Sequence, residues 1–174
     1  DNVCFIVKGD ADDWGNMLWP HRWMLYSFET KINGKYVYDY NFQLENMLIY
    51  NSLGVGVLCH EMFHTLGAPD LYHYNEDYRD LTSIGVWDIM DQTTNPPQSM
   101  GAYMKMRYGK WISSIPEINK TGQYYVNPIS FAKNNAYMIA SPKSTNEYFV
   151  LEYRKNNGLF DGQLPGSGLV IYRV

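Results

Sequence analysis

One stretch decides how this chain folds: Leu58-Cys59-His60-Glu61-Met62-Phe63-His64-Thr65-Leu66-Gly67-Ala68-Pro69-Asp70. It contains the pattern His-Glu-x-x-His, in which two imidazoles lie four residues apart and a carboxylate directly follows the first. On an α-helix this spacing brings His60 and His64 to nearly the same face, so both rings can bind one metal ion. Glu61 lies about a third of a turn away, where it can orient a metal-activated water without binding the metal. The pattern therefore predicts a hydrolytic zinc site.

The residues around this pattern predict a helix over residues 53–66. Asn51 or Ser52 can cap its start, and apolar residues then recur at spacings of three and four. Gly67 follows the last of them, and glycine accepts the left-handed conformation that commonly ends a helix. A helix that places both histidines on one face is therefore expected here.

The third metal ligand is expected just after this helix. Pro69 prevents the helix from resuming, so the chain must turn sharply and bring Asp70 near the same ion. A carboxylate there completes a site with three protein ligands and one open position. His73 and Asp80 remain alternatives, because sequence alone does not place loop residues.

Two motifs resemble those of a known family. The segment His60-Glu61-x-x-His64-x-x-Gly67-x-Pro69-Asp70-x-Tyr72 looks like the active-site signature of the immune inhibitor A-like metallopeptidases, a secreted bacterial zincin family. It is also similar to the metzincin pattern, except that Asp70 occupies the place of the usual third histidine. The segment Trp87-Asp88-Ile89-Met90 resembles the family's Trp-x-x-Met segment, the counterpart of the metzincin methionine turn. Weaker similarities lie at Trp19-Pro20-His21, Glu152-Tyr153-Arg154 and Leu164-Pro165-Gly166-x-Gly168.

The resemblance implies a zinc-dependent endopeptidase that hydrolyses peptide bonds of extracellular proteins. His60, His64 and Asp70 would bind one catalytic Zn²⁺, and Glu61 would accept a proton from the metal-activated water. Met90 would form a hydrophobic floor under the metal. In zincins a tyrosine often stabilises the oxyanion, and the candidates here are Tyr72, Tyr74 and Tyr103. The resemblance also implies a secreted or cell-surface location in a bacterium.

The expected fold class is α+β: a zincin-like metalloprotease catalytic domain with an active-site helix and a β-rich C-terminal subdomain. We place the catalytic core at residues 1–112 and the subdomain at residues 113–174. A second helix is expected at 97–108, and Asn33-Gly34 predicts a tight hairpin. The predicted strands lie at 3–7, 22–28, 36–42, 123–126, 136–140, 147–154 and 169–174, with a turn at Asn134-Asn135.

Composition limits the classes of partner. The chain has 174 residues, 18% charged residues and a net charge of -4, which is typical of one globular domain. The mild acidity and the lack of a basic cluster argue against nucleic acid. No apolar run is long enough to span a membrane. The resemblance implies protein or peptide substrates, and we expect a monomer. We also expect an excised domain, because the sequence starts and ends inside predicted strands.

Three further features have less specific interpretations. Four loop residues could bind a structural Ca²⁺, although a solvated acidic loop is the favoured alternative: Asn75, Glu76, Asp77 and Asp80. Cys4 and Cys59 are expected to be small buried hydrophobes, and a bridge between them stays open. The 16 tyrosines and 5 tryptophans are expected to pack a β-rich core rather than a sugar-binding surface.

Two rival functions deserve comparison with a peptidase. One is a degenerate protease-fold binding module for surface proteins or glycans. Glu61 argues against it, because a non-catalytic zinc site has no need of a carboxylate at that place. The other is a zinc hydrolase acting on a non-peptide amide or ester, which the shared metal chemistry leaves open.

Overall fold

A three-stranded mixed sheet lies beside the predicted metal-binding helix. The computed structural model describes residues 2–15, 17–78, 80–131, 133 and 135–174. In it, β1 (Asn2–Val7) pairs in parallel with β5 (Asp39–Leu44), and β2 (His21–Met24) pairs antiparallel with the opposite edge of β5. The strand order is β1-β5-β2, so β2 is an edge strand.

A separate hairpin joins β2 to β5 along the chain. It consists of β3 (Thr30–Ile32) and β4 (Lys35–Val37), which pair antiparallel. The two residues between them, Asn33 and Gly34, have φ angles of 50° and 78°. Positive φ at both positions is what a two-residue type I′ turn requires. The predicted hairpin is therefore confirmed.

Two helices follow the sheet, α1 (Glu45–Tyr50) and α2 (Gly54–Thr65). The second one carries the His-Glu-x-x-His residues and packs on β2 and β5. It approaches the loop beside it so closely that a Cβ added to Gly56 would lie 2.0 Å from the carbonyl oxygen of Thr94. This contact explains a glycine inside a helix, where it otherwise costs stability.

A glycine-containing turn ends α2. The N–H of Gly67 donates to the carbonyl oxygen of His64 (2.9 Å), and the N–H of Ala68 donates to that of Phe63 (3.4 Å). These two bonds form a Schellman motif, in which the residue after the cap adopts the left-handed conformation. Gly67 has a φ of 91°, as this motif requires.

The second helix begins later than the sequence predicts. It consists of α3 (Ala102–Met104), which continues into a π-helical turn at Lys105–Gly109. The prediction of 97–108 is wrong at its start, because side chains from elsewhere take the backbone N–H groups of that segment. The Ser99 N–H donates to Asp161 (2.9 Å) and the Gly101 N–H donates to Asp88 (2.7 Å).

A second, antiparallel sheet is formed by the C-terminal strands. Its order is β6 (Ala136–Ala140), β7 (Tyr148–Arg154) and β8 (Gly168–Arg173), and α4 (Gly158–Asp161) lies between the last two along the chain. The strand predicted at 123–126 is wrong, since that stretch has no regular structure. Of the predicted Asn134-Asn135 turn, Asn134 lies outside the described residues. The division into a core and a C-terminal subdomain stays a prediction.

Two hydrophobic clusters fill the interior. The first lies below α2 and consists of Phe63, Ala68, Ile89, Met90 and Met104. The second joins α3 to the C-terminal sheet and consists of Ala102, Ile115, Ile129, Ala136 and Val150. Because the first cluster touches both α2 and the loop that carries Met90, it holds these two parts of the predicted site together.

Several apolar residues expected in the interior are instead exposed. Most of β1 is exposed, including Cys4, because β1 lies at the sheet edge and β5 is the one strand of the described residues that pairs with it. Cys59 is half-buried, and both cysteines are free thiols. Four tryptophans are more than half exposed: Trp14, Trp19, Trp23 and Trp111. The expectation that tryptophans pack the core is therefore wrong.

The end of α2 provides a first test. A side chain at Gly67 would meet only Tyr108, 3.9 Å away, so the cost of Gly67→Val is backbone strain of roughly 1–2 kcal/mol or more. We expect this strain to displace the turn that leads to Asp70, and therefore to reduce the rise in Tm on adding zinc. The measurement is a thermal melt with zinc and with a chelator.

The matched control is Gly34→Val, which also places a β-branched residue at positive φ in open space, but in the β3–β4 hairpin. It should lower the Tm while the zinc-induced shift stays as in the parent. Equal zinc-induced shifts in Gly67→Val and the parent would show that the turn does not position a ligand.

Candidate active site

Three potential metal ligands converge at the end of α2. His60 and His64 project from one face of the helix, and the turn at Gly67 returns the chain so that Asp70 lies against both rings. The Oδ1 oxygen of Asp70 is 2.9 Å from Nε2 of His60 and 3.2 Å from Nε2 of His64. Among the described residues, this is the one group of His, Cys, Asp and Glu side chains close enough to hold a metal ion, with ligand atoms within 4.8 Å of one another.

Backbone carbonyl groups orient both imidazoles. The Nδ1–H of His60 donates to the carbonyl oxygen of Ile89 (2.9 Å), and that of His64 donates to the carbonyl oxygen of Ala68 (2.7 Å). A carbonyl oxygen only accepts, so these bonds require the proton of each neutral ring to be on Nδ1. Each Nε2 then presents a lone pair toward Asp70, which is the arrangement of a metal-ligating histidine.

The arrangement of these atoms fits a divalent cation. Oδ1 of Asp70 is buried and makes no hydrogen bond to a described residue, although two imidazole nitrogens face it. Burial opposes ionisation of Asp70, but the adjacent His60 and His64 rings outweigh it and lower its pKa far below the ordinary value. A carboxylate that stays ionised beside two imidazole lone pairs is a nitrogen and oxygen donor set that suits zinc.

The protonation of His64 depends on the same contact. Burial lowers its pKa, but the adjacent Asp70 carboxylate and the hydrogen bond to Ala68 raise it, so the net pKa of His64 is above the ordinary value. Where no cation faces Asp70, the imidazolium form of His64 is therefore more favoured than in an ordinary histidine. A cation that takes the lone pair of Nε2 competes directly with that proton.

Glu61 lies on α2 beside the two histidines but points toward the edge strand β2. Its Oε2 oxygen accepts the backbone N–H of Arg22 at 2.7 Å. Burial raises the pKa of Glu61 above the ordinary glutamate value, while the nearby His60 and His64 oppose this shift. A buried carboxylate with a raised pKa is a stronger base than an exposed one.

The three tyrosines considered for the oxyanion have different surroundings. The Tyr74 hydroxyl donates to Oδ2 of Asp70, and burial together with this bond raises its pKa to about 12. The Tyr72 ring lies nearly parallel to the His60 ring, at 18° and 6.4 Å between centroids. The Tyr103 ring instead packs edge-on against Tyr148 of the C-terminal sheet.

The other predicted residues are placed as follows. Met90 is completely buried in the cluster below α2. His73 and Asp80, the alternative third ligands, are both exposed and do not join the cluster of ligand atoms. Of the four predicted calcium ligands, the carboxylates of Glu76, Asp77 and Asp80 do not form a second cluster of possible cation ligands among the described residues, so a structural Ca²⁺ stays a prediction without support.

Sequence reasoning missed the backbone groups of the site. For Ala68 a signal existed, because Pro69 forces the preceding residue into an extended conformation and turns its carbonyl out of the helix. For Ile89 and Arg22 there was none. These two lie 29 and 39 residues from the side chains they contact. Residue types do not indicate which backbone group will contact a side chain so far along the chain.

Comparison with known proteins identifies the class of protein. The family model described as immune inhibitor A peptidase M6, catalytic domain, matches residues 9–121, which is more than half of the chain. This chain is a metallopeptidase, and thus a hydrolase, with the zincin-like α+β fold that this family implies. It belongs to the immune inhibitor A peptidase family. No characterised protein and no solved structure gave a significant match.

The family implies a metal ion and a protein substrate. The match contains His60, Glu61, His64 and Asp70, but it extends neither to β6 nor to the strands after it. Among the described residues, no helix is both long and apolar enough to cross a membrane.

The third ligand provides the next test. If Asp70 binds the metal, Asp70→Ala should reduce zinc affinity by at least about 10- to 100-fold, because even residues that only support a ligand cost that much when changed. His73→Ala and Asp80→Ala are the matched controls and should retain the zinc content of the parent. Metal analysis of the three purified variants decides the assignment, and normal zinc in Asp70→Ala would transfer the role to another residue.

Proposed function

We propose that this chain is a zinc-dependent endopeptidase that hydrolyses peptide bonds of extracellular proteins. His60, His64 and Asp70 hold one catalytic Zn²⁺, and Glu61 is the catalytic base. The observation that carries this proposal is the convergence of two Nε2 atoms and one unpaired Oδ1 atom, while both Nδ1 atoms are held by carbonyl groups.

The division of labour follows from the chemistry of each group. Zinc held by His60, His64 and Asp70 would supply a Lewis acid that polarises a carbonyl group and acidifies water. Oε2 of Glu61 is fixed by the Arg22 N–H, and Oε1 has no hydrogen-bond partner among the described residues. We assign Oε1 the role of accepting the proton of the attacking water and passing it to the leaving amine.

Tyr72 is our candidate for stabilising the oxyanion. Tyr74 already donates its hydroxyl to Asp70, and Tyr103 packs against the C-terminal sheet, so each has another partner. Tyr72 stacks against His60 and is partly exposed, and its hydroxyl interacts with Asp70 and Tyr74, so it lies beside the ligands where a substrate can reach it. Met90 supports the site from below by filling the cluster under α2.

The position of β2 favours an extended peptide as the substrate. This strand lies at the edge of its sheet, and its Arg22 N–H points to Glu61 rather than to β5. A peptide that pairs with this edge would pass directly beside the proposed base. Such pairing binds the backbone of an extended peptide, which small amides and esters lack. It therefore favours a peptidase over a hydrolase of small amides or esters.

The resemblance to a family of secreted bacterial peptidases supports a location outside the cell. We therefore propose secretion or display at the cell surface of a bacterium, with extracellular proteins as substrates. Release of products from an unfolded protein added to the purified chain, with no accessory factor, would be consistent with such a role.

The proposed base is tested by Glu61→Gln. This variant should bind zinc nearly as well as the parent, because Glu61 is not a ligand, but hydrolysis of an unfolded protein should fall by about 100- to 10,000-fold. The matched control is Glu117→Gln, which changes an exposed glutamate and should leave the rate unchanged.

Parallel reactions with a chelator, and with zinc added back, link the activity to the metal. Retained hydrolysis in Glu61→Gln would refute the mechanism. A parent that binds zinc but cleaves no protein would instead support the binding-module alternative.

A further inference from the structure

We infer that Arg154, on β7, is a positioning residue for the metal centre, because its guanidinium fixes the loop whose carbonyl groups orient His60 and hold the residue next to Asp70. The inference rests on the proposed function, since it requires those ligands to bind a metal. Arg154 lies beyond residue 121, where the family match ends.

The guanidinium of Arg154 is completely buried and ties together both ends of one loop. Its Nη1 donates to the carbonyl oxygen of Trp87 (2.5 Å), and its Nη2 donates to that of Ser99 (3.0 Å). The same two nitrogens also donate to carboxylates, Nη1 to Glu152 (3.1 Å) and Nη2 to Asp161 (3.0 Å). One planar group therefore spans the residues at 87 and 99, and we name the segment between them the 87–99 loop.

The 87–99 loop carries the carbonyl groups that meet the metal centre. The carbonyl oxygen of Ile89 accepts the Nδ1–H of His60 (2.9 Å). The carbonyl oxygen of Met90 accepts the N–H of Leu71 (2.8 Å), the residue directly after the proposed third ligand. Ile89 is only two residues from the carbonyl that Arg154 binds. Displacement of that end of the loop would therefore move two carbonyl groups, the one that orients His60 and the one that holds Leu71 next to Asp70.

The carboxylates that hold the guanidinium are themselves fixed. Oε2 of Glu152 accepts the N–H of Ala102 (2.6 Å) and the hydroxyl of Tyr172 (3.1 Å). Oδ1 of Asp161 also accepts the N–H of Ser99 (2.9 Å). Each carboxylate therefore connects the C-terminal sheet or α4 to the backbone of residues 99–102. The cluster of Arg154, Glu152 and Asp161 is thus hydrogen-bonded to the backbone at several points, which makes it a rigid support rather than a single ion pair.

A contribution to stability alone does not explain this cluster. Taking charges out of water is costly, and a buried ion pair often stabilises a fold no better than well-packed apolar side chains. What apolar side chains cannot do is donate to two carbonyl groups at fixed angles. The planar fork of arginine can do so while bound to two carboxylates, whereas lysine offers a single point charge.

The test compares Arg154→Lys with Arg173→Lys. Arg173 lies on β8 of the same sheet and is mostly exposed, so its replacement controls for the loss of an arginine there. Zinc affinity is measured by competition with a chromophoric chelator. Folding of each variant is checked by a thermal melt in the presence of a chelator. We expect Arg154→Lys to lose about 10- to 100-fold in zinc affinity, the range typical of residues that support metal ligands. Arg173→Lys should match the parent.

A milder variant keeps the inference testable if Arg154→Lys does not fold. Asp161→Asn retains an oxygen that can accept a hydrogen bond from the guanidinium but removes the negative charge of the carboxylate. We therefore expect a loss of about 10-fold in zinc affinity, the lower end of the same range. A lowered Tm with parental zinc affinity in the variants that fold would overturn the inference and leave only a structural role. If the parent itself bound no zinc, the proposed function would fail instead.

Discussion

The hydrogen bonds between two imidazoles and two backbone carbonyl groups are the interactions on which the rest of the site depends. Because a carbonyl oxygen can only accept, the bonds to Ile89 and Ala68 set the tautomer of His60 and His64 as well as the direction of each ring. The two carbonyl groups come from different parts of the chain, one from the turn after α2 and one from the 87–99 loop. The helix alone therefore does not make the site; the turn and the loop must also be in place.

The features of the site that are decided by residues close together in the sequence were predictable. The four-residue spacing of the histidines leads to a common helix face, and Gly67 with Pro69 leads to a sharp turn that returns Asp70. The Asn33-Gly34 hairpin follows equally from local turn chemistry. In each case the residues that decide the geometry lie within a few positions of one another, so neighbouring residue types carry the information.

Long-range contacts decide the parts that were not predictable. Pro97 resembles the first residue of a helix, yet the N–H groups of Ser99 and Gly101 bond to carboxylates elsewhere, and the helix starts only at Ala102. The apolar composition of β1 suggests burial, but its place at the sheet edge leaves most of it exposed. Both errors arise because periodicity and propensity describe a segment, whereas its neighbours in space determine its burial and its hydrogen bonds.

The convergence of lone pairs also connects metal binding with stability. Two imidazole nitrogens and an ionised carboxylate that face one another repel unless a proton or a cation lies between them, and the raised pKa of His64 is one consequence. The fold must hold these groups together before a metal arrives, through the cluster under α2 and the hydrogen bonds of the 87–99 loop. A cation removes that repulsion only in the folded chain, so part of its binding free energy becomes stability of the fold. The more rigidly the loop is held, the less ordering remains to oppose binding, which is why a buried arginine far from the ligands can influence metal affinity.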